Sequence, residues 1–379
     1  MKKLAFAIIG GICLTTACQN SAEISGTLTG VESDTLVVRS YISGEDKAIT
    51  DTIPMKNGTF AFNIGDSVLK QVYIYDKPST DSQKNPALMK SISFMLVPEQ
   101  PVKITGSFDD YKLEGSKFYE DYSLVIDKFK PCMHKLDSLT SVCIALEEKI
   151  GTDGITADSI RKVYSPARDW VNEINEIKKD FIRNNPDNDL SVYLLSITSL
   201  ETIKEYNDSL TDRVKQGTMA PLYQWMKTLT EKEDSRNKAQ EAMSPGAMAP
   251  DFTVKDLDGK DFTLSSLKGK YVVLDFWGSW CGWCIKGIPE MKKYYNKYKD
   301  KIEFVGIDCN DTEEAWKKAV EEHQLPWINV RNNGDPDVSI MYGISGYPTK
   351  FIIDPEGKIN KRVIGEDPEF YTYLDSLMK

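Results

Sequence analysis

Two cysteines separated by two residues constrain this chain more than any other feature of its sequence. Cys281 and Cys284 lie in the segment DFWGSWCGWCIKGIPEM, residues 275–291. The apolar run KYVVLDFWG that leads into them is typical of a buried strand, and IPEMKKYYNKYKD after them has the apolar spacing of a helix. The pair is therefore predicted to lie where a strand ends and a helix begins. A helix N-terminus stabilises a thiolate, because its free N–H groups and its dipole favour negative charge.

The positions of the two cysteines on that helix predict different roles. Cys281 is expected to be the exposed nucleophile with a lowered pKa, and Cys284, one turn further on, the buried thiol that resolves its adducts. A structural zinc site is not supported, because it needs four ligands, and the sequence has no second CxxC and only two widely separated histidines. An inert structural disulfide stays open as an alternative.

The chain divides into regions of different sequence character. Residues 19–118 contain short alternating runs such as DTLVVRSYI and KQVYIYD, separated by turn signals, which predicts an all-β sandwich. Residues 119–243 carry apolar residues three and four apart, which predicts a helical segment. After the proline-bearing linker EAMSPGAMAPDF, residues 244–379 alternate strands and helices, which predicts an α/β domain with a central sheet.

The first 18 residues predict export. Two lysines precede the apolar stretch Leu4–Leu14, which is too short to span a bilayer and resembles a signal peptide. The sequence TTAC that follows resembles the lipobox of bacterial lipoproteins, although Thr15 occupies the place of the consensus leucine. We therefore expect residues 1–18 to be a lipoprotein signal and Cys18 a lipid anchor to a membrane, on the periplasmic side of the cell envelope. An ordinary signal peptide is the alternative.

Charge and cysteine count exclude several classes of protein. A formal net charge of −10 argues against nucleic acid and anionic lipid surfaces as partners. Five cysteines follow Cys18, and an odd number cannot pair completely within one chain. Cys132 and Cys143 fall in one helical pattern at a spacing of roughly 16 Å, beyond the reach of a disulfide. We expect these two and Cys309 to be small buried residues.

The residues around the cysteine pair resemble a known family. DFWGSWCGWC, followed by Pro289 and by GYPT at residues 346–349, resembles the thioredoxin superfamily. The longer segment APDFTVKDLDGKDFTLSSLKGKYVVLDFWGSWC resembles its exported TlpA/ResA-like branch. Residues 22–118, with the helical insert after them, resemble the β domain of unknown function that precedes this branch in Bacteroidetes lipoproteins. The resemblance implies a thioredoxin-like fold for residues 244–379.

The resemblance also implies roles for individual residues. Cys281 and Cys284 correspond to the redox pair, and Pro348 corresponds to the cis-proline that packs beside the disulfide and presents backbone to a substrate strand. Asp275 corresponds to a buried carboxyl that exchanges a proton with Cys284. Many members of this branch carry a glutamate three places after the second cysteine, where this chain has Gly287. Asp275 is therefore expected to carry out the proton transfer alone.

Residues next to the cysteines or next to Pro348 in the sequence are predicted to contact substrate. These residues are Trp280, Trp283, Tyr347 and Thr349. Trp277 and Trp280 are also expected to shield the pair from water.

Together these features predict a thiol–disulfide oxidoreductase that needs no metal and no organic cofactor. The Cys281 thiolate would attack a substrate disulfide, and Cys284 would then displace the product thiol from the mixed disulfide. Exported proteins with disulfides are the expected substrates, and a membrane electron donor would recycle the pair. Two alternatives stay open. One is a peroxiredoxin-like peroxidase, disfavoured because Gly278 occupies the place of the peroxiredoxin threonine. The other is a ligand-binding lipoprotein with an accessory redox domain.

Overall fold

The computed structural model describes residues 23–42, 48–65, 67–76, 90–151 and 154–379. The predicted signal peptide and Cys18 lie outside the described residues. The chain forms two compact units, Met1–Lys227 and Thr228–Lys379. Among the described residues, no helix combines the length and the apolar character needed to cross a bilayer.

The first unit begins with two four-stranded sheets. Their strands are β1 (Ile24–Leu28), β2 (Thr35–Ile42), β3 (Ala48–Pro54), β4 (Thr59–Phe62), β5 (Lys70–Asp76), β6 (Ser91–Leu96), β7 (Val102–Gly106) and β8 (Tyr111–Glu114). The strand orders are β4-β1-β7-β8 and β3-β2-β5-β6. Buried side chains alternate along β1 and β2, as expected for strands with one face in a core. Both sheets contribute to one apolar cluster, so the predicted β-sandwich is confirmed.

Helices follow the sandwich in the chain. They are α1 (Lys117–Glu147), α2 (Ala157–Tyr164), α3 (Ala167–Asn184), α4 (Asp189–Ser196), α5 (Leu200–Tyr206), α6 (Asp212–Gln216) and α7 (Ala220–Ala242). All of them except α2 contribute residues to the core of the sandwich, and the last one, α7, continues beyond Lys227 into the second unit. The hydroxyl of Tyr119 on α1 accepts a hydrogen bond from Val97 N at 3.1 Å, and Ser123 Oγ accepts one from Leu113 N at 2.7 Å. The predicted helical segment is therefore docked on the sandwich rather than folded apart from it.

The second unit contains a seven-stranded sheet with helices packed against it. Its strands are β9 (Thr253–Asp256), β10 (Asp261–Thr263), β11 (Tyr271–Trp277), β12 (Ile302–Cys309), β13 (Ile328–Asn332), β14 (Thr349–Ile353) and β15 (Ile359–Ile364). Its helices are α8 (Gly282–Tyr298), α9 (Glu313–Glu322), α10 (Val338–Met341) and α11 (Pro368–Leu377). The strand order is β10-β9-β13-β12-β11-β14-β15. Strands β11, β12 and β13 are parallel, and β14 pairs antiparallel with both β11 and β15. The predicted thioredoxin-like fold is confirmed.

The central strand β11 places its side chains alternately on the two faces of this sheet. Val273 and Trp277 pack in the same cluster as Ile288 and Met291 of α8, whereas Leu274 and Phe276 belong to the cluster on the opposite face. Since side chains alternate along a strand, Asp275 faces α8. The strand therefore delivers a carboxyl group beneath the helix that carries the cysteine pair.

Candidate active site

Cys281 and Cys284 form a disulfide at the start of α8. The Sγ–Sγ distance is 2.07 Å and the Cα–Cα distance is 5.2 Å. Cys281 is the N-cap residue of the helix, and its Sγ accepts a hydrogen bond from Cys284 N at 3.2 Å. The first turn contains no acidic side chain. The Cys281 sulfur thus lies at the positive end of the helix dipole, where a thiolate is stabilised when the pair is reduced.

The two cysteines are buried to the same degree. Cys281 is 6% exposed and Cys284 is 5% exposed, and both pack in the cluster that contains Trp277. The prediction that Cys281 is the exposed member of the pair is therefore wrong for the disulfide form, because the joined sulfurs enter the core together. Burial in the disulfide form does not distinguish the two residues, whereas the helix N-terminus at Cys281 does.

The aromatic residues around the pair occupy two different environments. Trp277 is buried beneath it, whereas Trp280 is 53% exposed and Trp283 is 66% exposed. Trp280 packs edge-on against the ring of Tyr347 at 5.2 Å and donates a hydrogen bond from Nε1 to Cys309 O at 3.0 Å. Exposed rings next to a buried disulfide offer an apolar surface to an incoming chain.

Pro348 and Thr349 connect this surface to the sheet. The Tyr347–Pro348 peptide bond is cis, and Pro348 O accepts a hydrogen bond from Gly365 N at 2.7 Å. The role of Pro348 in presenting backbone to a substrate stays a prediction. Thr349 is fully buried, and its Oγ1 donates to Gly346 O at 2.7 Å. The predicted substrate contact at the Thr349 side chain is therefore wrong, because this hydroxyl holds the preceding turn.

A buried cluster of three charged groups lies on the face of the sheet under α8. Asp275 on β11 is paired with Lys350 on β14 in the sheet register. Lys350 Nζ lies 3.4 Å from Asp275 Oδ1 and 2.5 Å from Glu366 Oε1, and Lys350 is only 2% exposed. We call Asp275, Lys350 and Glu366 the charged triad. Asp275 is therefore not the only carboxyl group at this lysine, and its role in proton transfer stays a prediction.

Burial and pairing oppose each other in the charged triad. Burial raises the pKa of Asp275, and Lys350 offsets part of this rise. The pKa of Glu366 is raised for the same reason and with the same offset. Burial alone would lower the pKa of Lys350, but the two carboxylates raise it above its ordinary value. The sequence analysis missed Lys350 and Glu366, and the available signal was a lysine inside the apolar strand TKFII.

A second acidic pair fixes the loop that precedes Cys281. The Asp311 carboxylate accepts hydrogen bonds from Ser279 N and Ser279 Oγ, both at 2.7 Å. Asp308 is fully buried, with Arg331 Nε 4.0 Å from its Oδ2. Burial and the adjacent Asp311 raise the pKa of Asp308 to about 9, against an ordinary value of 3.8. Asp308 is thus expected to be uncharged at neutral pH.

Replacing Asp308 with Asn is expected to stabilise the protein at pH 8. The unfolded chain releases this proton near pH 3.8 and the folded chain near pH 9. The folded state therefore holds an extra proton between these values, and stability falls as the pH rises through this range. Asn does not titrate, so we expect a gain of about 1–3 kcal/mol at pH 8 and little difference at pH 4.

Thermal unfolding of the full chain at both pH values measures this effect. The exposed Asp300, replaced with Asn, is the control and should behave alike at the two values. A loss of stability in Asp308→Asn at pH 8 would mean that a charged Asp308 is required by Arg331.

No other chemistry is evident at this site. Among the residues that the structure describes, no group of three or more His, Cys, Asp or Glu side chains could hold a metal ion. Cys132, Cys143 and Cys309 are buried free thiols, and burial raises the pKa of Cys309 far above its ordinary value. The Cys281–Cys284 disulfide is thus the redox-active group that the described residues offer.

Comparison with known proteins finds the same pattern in this part of the chain. Residues 245–362 match the AhpC/TSA family. The thiol-disulfide oxidoreductase ResA of Bacillus anthracis is 41% identical over 128 residues, which cover 34% of this chain and 73% of that protein. ResA of Bacillus subtilis is 37% identical over 127 residues, covering 33% and 70%. The solved thioredoxin domain of a thiol-disulfide oxidoreductase from Bacteroides vulgatus is 37% identical, with coverage of 36% and 99% and a TM-score of 0.34.

The sheet order of the second unit and a disulfide at the start of α8 define a thioredoxin-fold oxidoreductase. With the ResA match added, this chain belongs to the thiol–disulfide oxidoreductase family of the ResA proteins.

Proposed function

We propose that this protein is an exported reductase of protein disulfides. The observation that carries the proposal is the Cys281–Cys284 disulfide with its first sulfur at the N-terminus of α8. In the reduced protein the Cys281 thiolate attacks one sulfur of a substrate disulfide and releases the other as a thiol. Cys284 then attacks Cys281, releases the second substrate thiol and leaves the pair oxidised. A membrane electron donor would restore the dithiol.

The charged triad supports the reducing direction. With both acids ionised and Lys350 protonated, it carries one net negative charge beneath the pair. Negative charge destabilises a nearby thiolate and so favours the disulfide over the dithiol. The pair is then a better electron donor than the helix terminus alone would make it.

The surface around the pair supports a protein substrate. Trp280 and Trp283 expose aromatic area beside the disulfide, and the partly buried ring of Tyr347 packs edge-on against Trp280. Aromatic side chains are enriched where proteins contact one another. An extended, partly apolar segment of an exported protein fits such a surface better than a small polar thiol does.

The peroxidase alternative meets a steric obstacle at Gly278. A Cβ atom built there would overlap the indole of Trp280 and lie 2.9 Å from Cys309 O. A threonine at this place, as in peroxiredoxins, would therefore displace Trp280. The proposed function keeps the disulfide exchange and not the peroxidase chemistry.

Two measurements on the full chain test the proposal. The first is the reduction potential of the Cys281–Cys284 couple, determined in dithiothreitol and glutathione buffers. It should be about −270 mV, as for thioredoxin, rather than about −120 mV, as for a strong oxidant. The reduced protein should reduce the disulfides of insulin, and it should turn over hydrogen peroxide no faster than its Cys281→Ser variant. A potential near the oxidant value would overturn the reducing direction.

Replacing Cys18 with Ser is expected to release the protein from membranes. The reason is that lipid attached to this side chain would be the sole anchor, and Ser cannot carry the thioether. Fractionation of cells expressing the two forms measures the change, with Cys13→Ser as the control because this cysteine belongs to the cleaved part of the signal. Membrane retention of Cys18→Ser, or an unmodified mature N-terminus elsewhere by mass spectrometry, would contradict the anchor.

A further inference from the structure

We infer that Glu366 is a second proton-accepting carboxyl for Cys284, held by Lys350 in the space that Gly287 leaves open. Together with Asp275 it receives the Cys284 proton when this thiol attacks the mixed disulfide. The inference rests on the proposed function only in that the cysteine pair exchanges disulfides, and it holds for either direction of electron flow.

The space beside Gly287 is filled by the Glu366 carboxylate. A Cβ atom built on Gly287 would overlap both Glu366 carboxylate oxygens. Gly287 is buried within α8 and has no positive φ, so backbone geometry does not require glycine here. Glycine in a helix interior costs about 1 kcal/mol relative to alanine. A larger residue at this position would have to displace the Glu366 carboxylate from its place beside Lys350.

Gly287 lies on the same face of α8 as Cys284. Residues three apart on a helix are neighbours, with Cβ positions about 5–6 Å apart. A carboxylate that occupies the missing side chain of Gly287 therefore lies next to Cys284 along the helix. Asp275 approaches the same face from β11, and Lys350 bridges the two acids.

The charge of the cluster allows it to take up one proton. Two carboxyl groups share one lysine, and burial raises the pKa of Asp275 and of Glu366. One added proton makes the charged triad neutral, which burial favours. The hydroxyl of Tyr371 on α11 also faces Glu366, but burial raises its pKa far above its ordinary value. Tyr371 therefore stays protonated and does not compete for the proton.

The proposed step conserves atoms and electrons. The Cys284 thiol passes its proton to a carboxylate of the triad, and its sulfur forms a bond to Cys281 Sγ. The bond between Cys281 and the substrate sulfur breaks, and the substrate leaves with the electron pair as a thiolate. That thiolate then takes a proton, either from the triad or from water.

A chromogenic aromatic disulfide, 5,5′-dithiobis(2-nitrobenzoate), separates the two thiol steps in the full chain. The first coloured thiolate leaves when Cys281 attacks, and the second leaves when Cys284 resolves the adduct. In Glu366→Gln we expect an unchanged first step and a slower second step that has lost its dependence on a carboxyl between pH 5 and 9. In Asp275→Asn/Glu366→Gln the second step should be slower by on the order of 10²-fold, the lower range for loss of a positioned base.

Moving the carboxyl to the helix provides a rescue. Gly287→Glu/Glu366→Ala returns an acid to the same space from the other chain segment, and it should restore both the second-step rate and its pH profile. Gly287→Ala/Glu366→Ala fills the space without an acid and should stay slow. Glu322→Gln, at an exposed position of α9, is the matched control and should behave like the original protein.

The outcomes separate this inference from the proposed function. If the original protein releases no thiolate in the first step, the proposed disulfide exchange fails. If both steps proceed and Glu366→Gln keeps the original second-step rate and pH profile, the role of Glu366 is overturned while disulfide exchange stands. A folded Gly287→Glu/Glu366→Ala protein that stays as slow as Gly287→Ala/Glu366→Ala would also overturn it.

Discussion

The Cys284→Ser variant is expected to accumulate a mixed disulfide with its substrate, whereas Cys281→Ser is expected to accumulate little. Attack by Cys281 succeeds in the first variant, but the thiol that resolves the adduct is missing. In the second variant the remaining thiol lies one turn inside the helix, above the net negative charged triad. Both variants should lose essentially all multiple-turnover activity.

The difference follows from the thiolate fractions of the two sulfurs. A free cysteine with a pKa of about 8.5 is only a few per cent ionised at pH 7, whereas a pKa of about 7 at a helix N-terminus leaves half of it ionised. Cys281 Sγ accepts a hydrogen bond from the backbone N–H of Cys284. This N–H group therefore stabilises the Cys281 thiolate and not the thiolate of Cys284. The two residues are equally buried in the disulfide form, so the contrast is expected from the helix terminus and the charged triad.

Mass spectrometry after incubation with oxidised insulin, and iodoacetamide labelling of the reduced protein against pH, measure the effect. Cys309→Ala is the matched control, because its thiol is buried and free in the same unit, and it should change neither trapping nor labelling. Preferential labelling of Cys284, or an adduct found only in Cys281→Ser, would reverse the two roles. Activity retained without either cysteine would remove the proposed function.

Replacing Lys350 with Met is expected to be the most destabilising single change at the site. Its ammonium group is buried between Asp275 and Glu366, and removing one partner of a buried ion pair costs about 3–5 kcal/mol. The pKa values of both acids, already raised, should rise further without the lysine. The folded state then holds protons that the unfolded chain releases, so the loss should be small near pH 4 and grow as the pH rises.

Denaturant unfolding of the full chain, followed by tryptophan fluorescence at pH 5 and pH 8, measures this loss. Lys293→Met is the control, because Lys293 pairs with Glu290 on the exposed side of α8. Lys350→Met/Glu366→Gln should recover part of the stability, since one uncompensated carboxylate is removed. Equal stability of Lys350→Met and the original protein at pH 8 would mean that the two acids are hydrated rather than paired.

Local patterns in the sequence were sufficient for most of the fold. Alternating runs predicted the sandwich, and helical spacing predicted the long helix α1 and the helix α8. Strands β3, β8 and β13 were not predicted from the sequence. Strand β13, INVRN, is short and contains three polar residues, yet it lies between β9 and β12 inside the sheet. Its position inside the sheet comes from long-range pairing, which no local period reports.

The chemistry of the cysteine pair also followed from local sequence. A strand, two cysteines at a fixed spacing and a helix are consecutive in the chain, so the sulfur at the N-terminus of α8 could be inferred without tertiary contacts. The cis bond before Pro348 was reached through the family resemblance, and the structure contains it.

Tertiary structure alone decided the surroundings of Cys284. Asp275, Lys350 and Glu366 belong to three separate segments that meet only when β11 pairs with β14 and the chain returns after β15. In the sequence, Gly287 showed only that the glutamate of related proteins is absent at this position. It could not show that the carboxylate of Glu366, from another segment, lies in the same space. The equal burial of Cys281 and Cys284 was likewise not evident from their positions on the helix, since burial depends on the elements that pack around both. The sequence determined which atoms react, because that arrangement is local, and the packing determined which groups move the proton, because those contacts join distant parts of the chain.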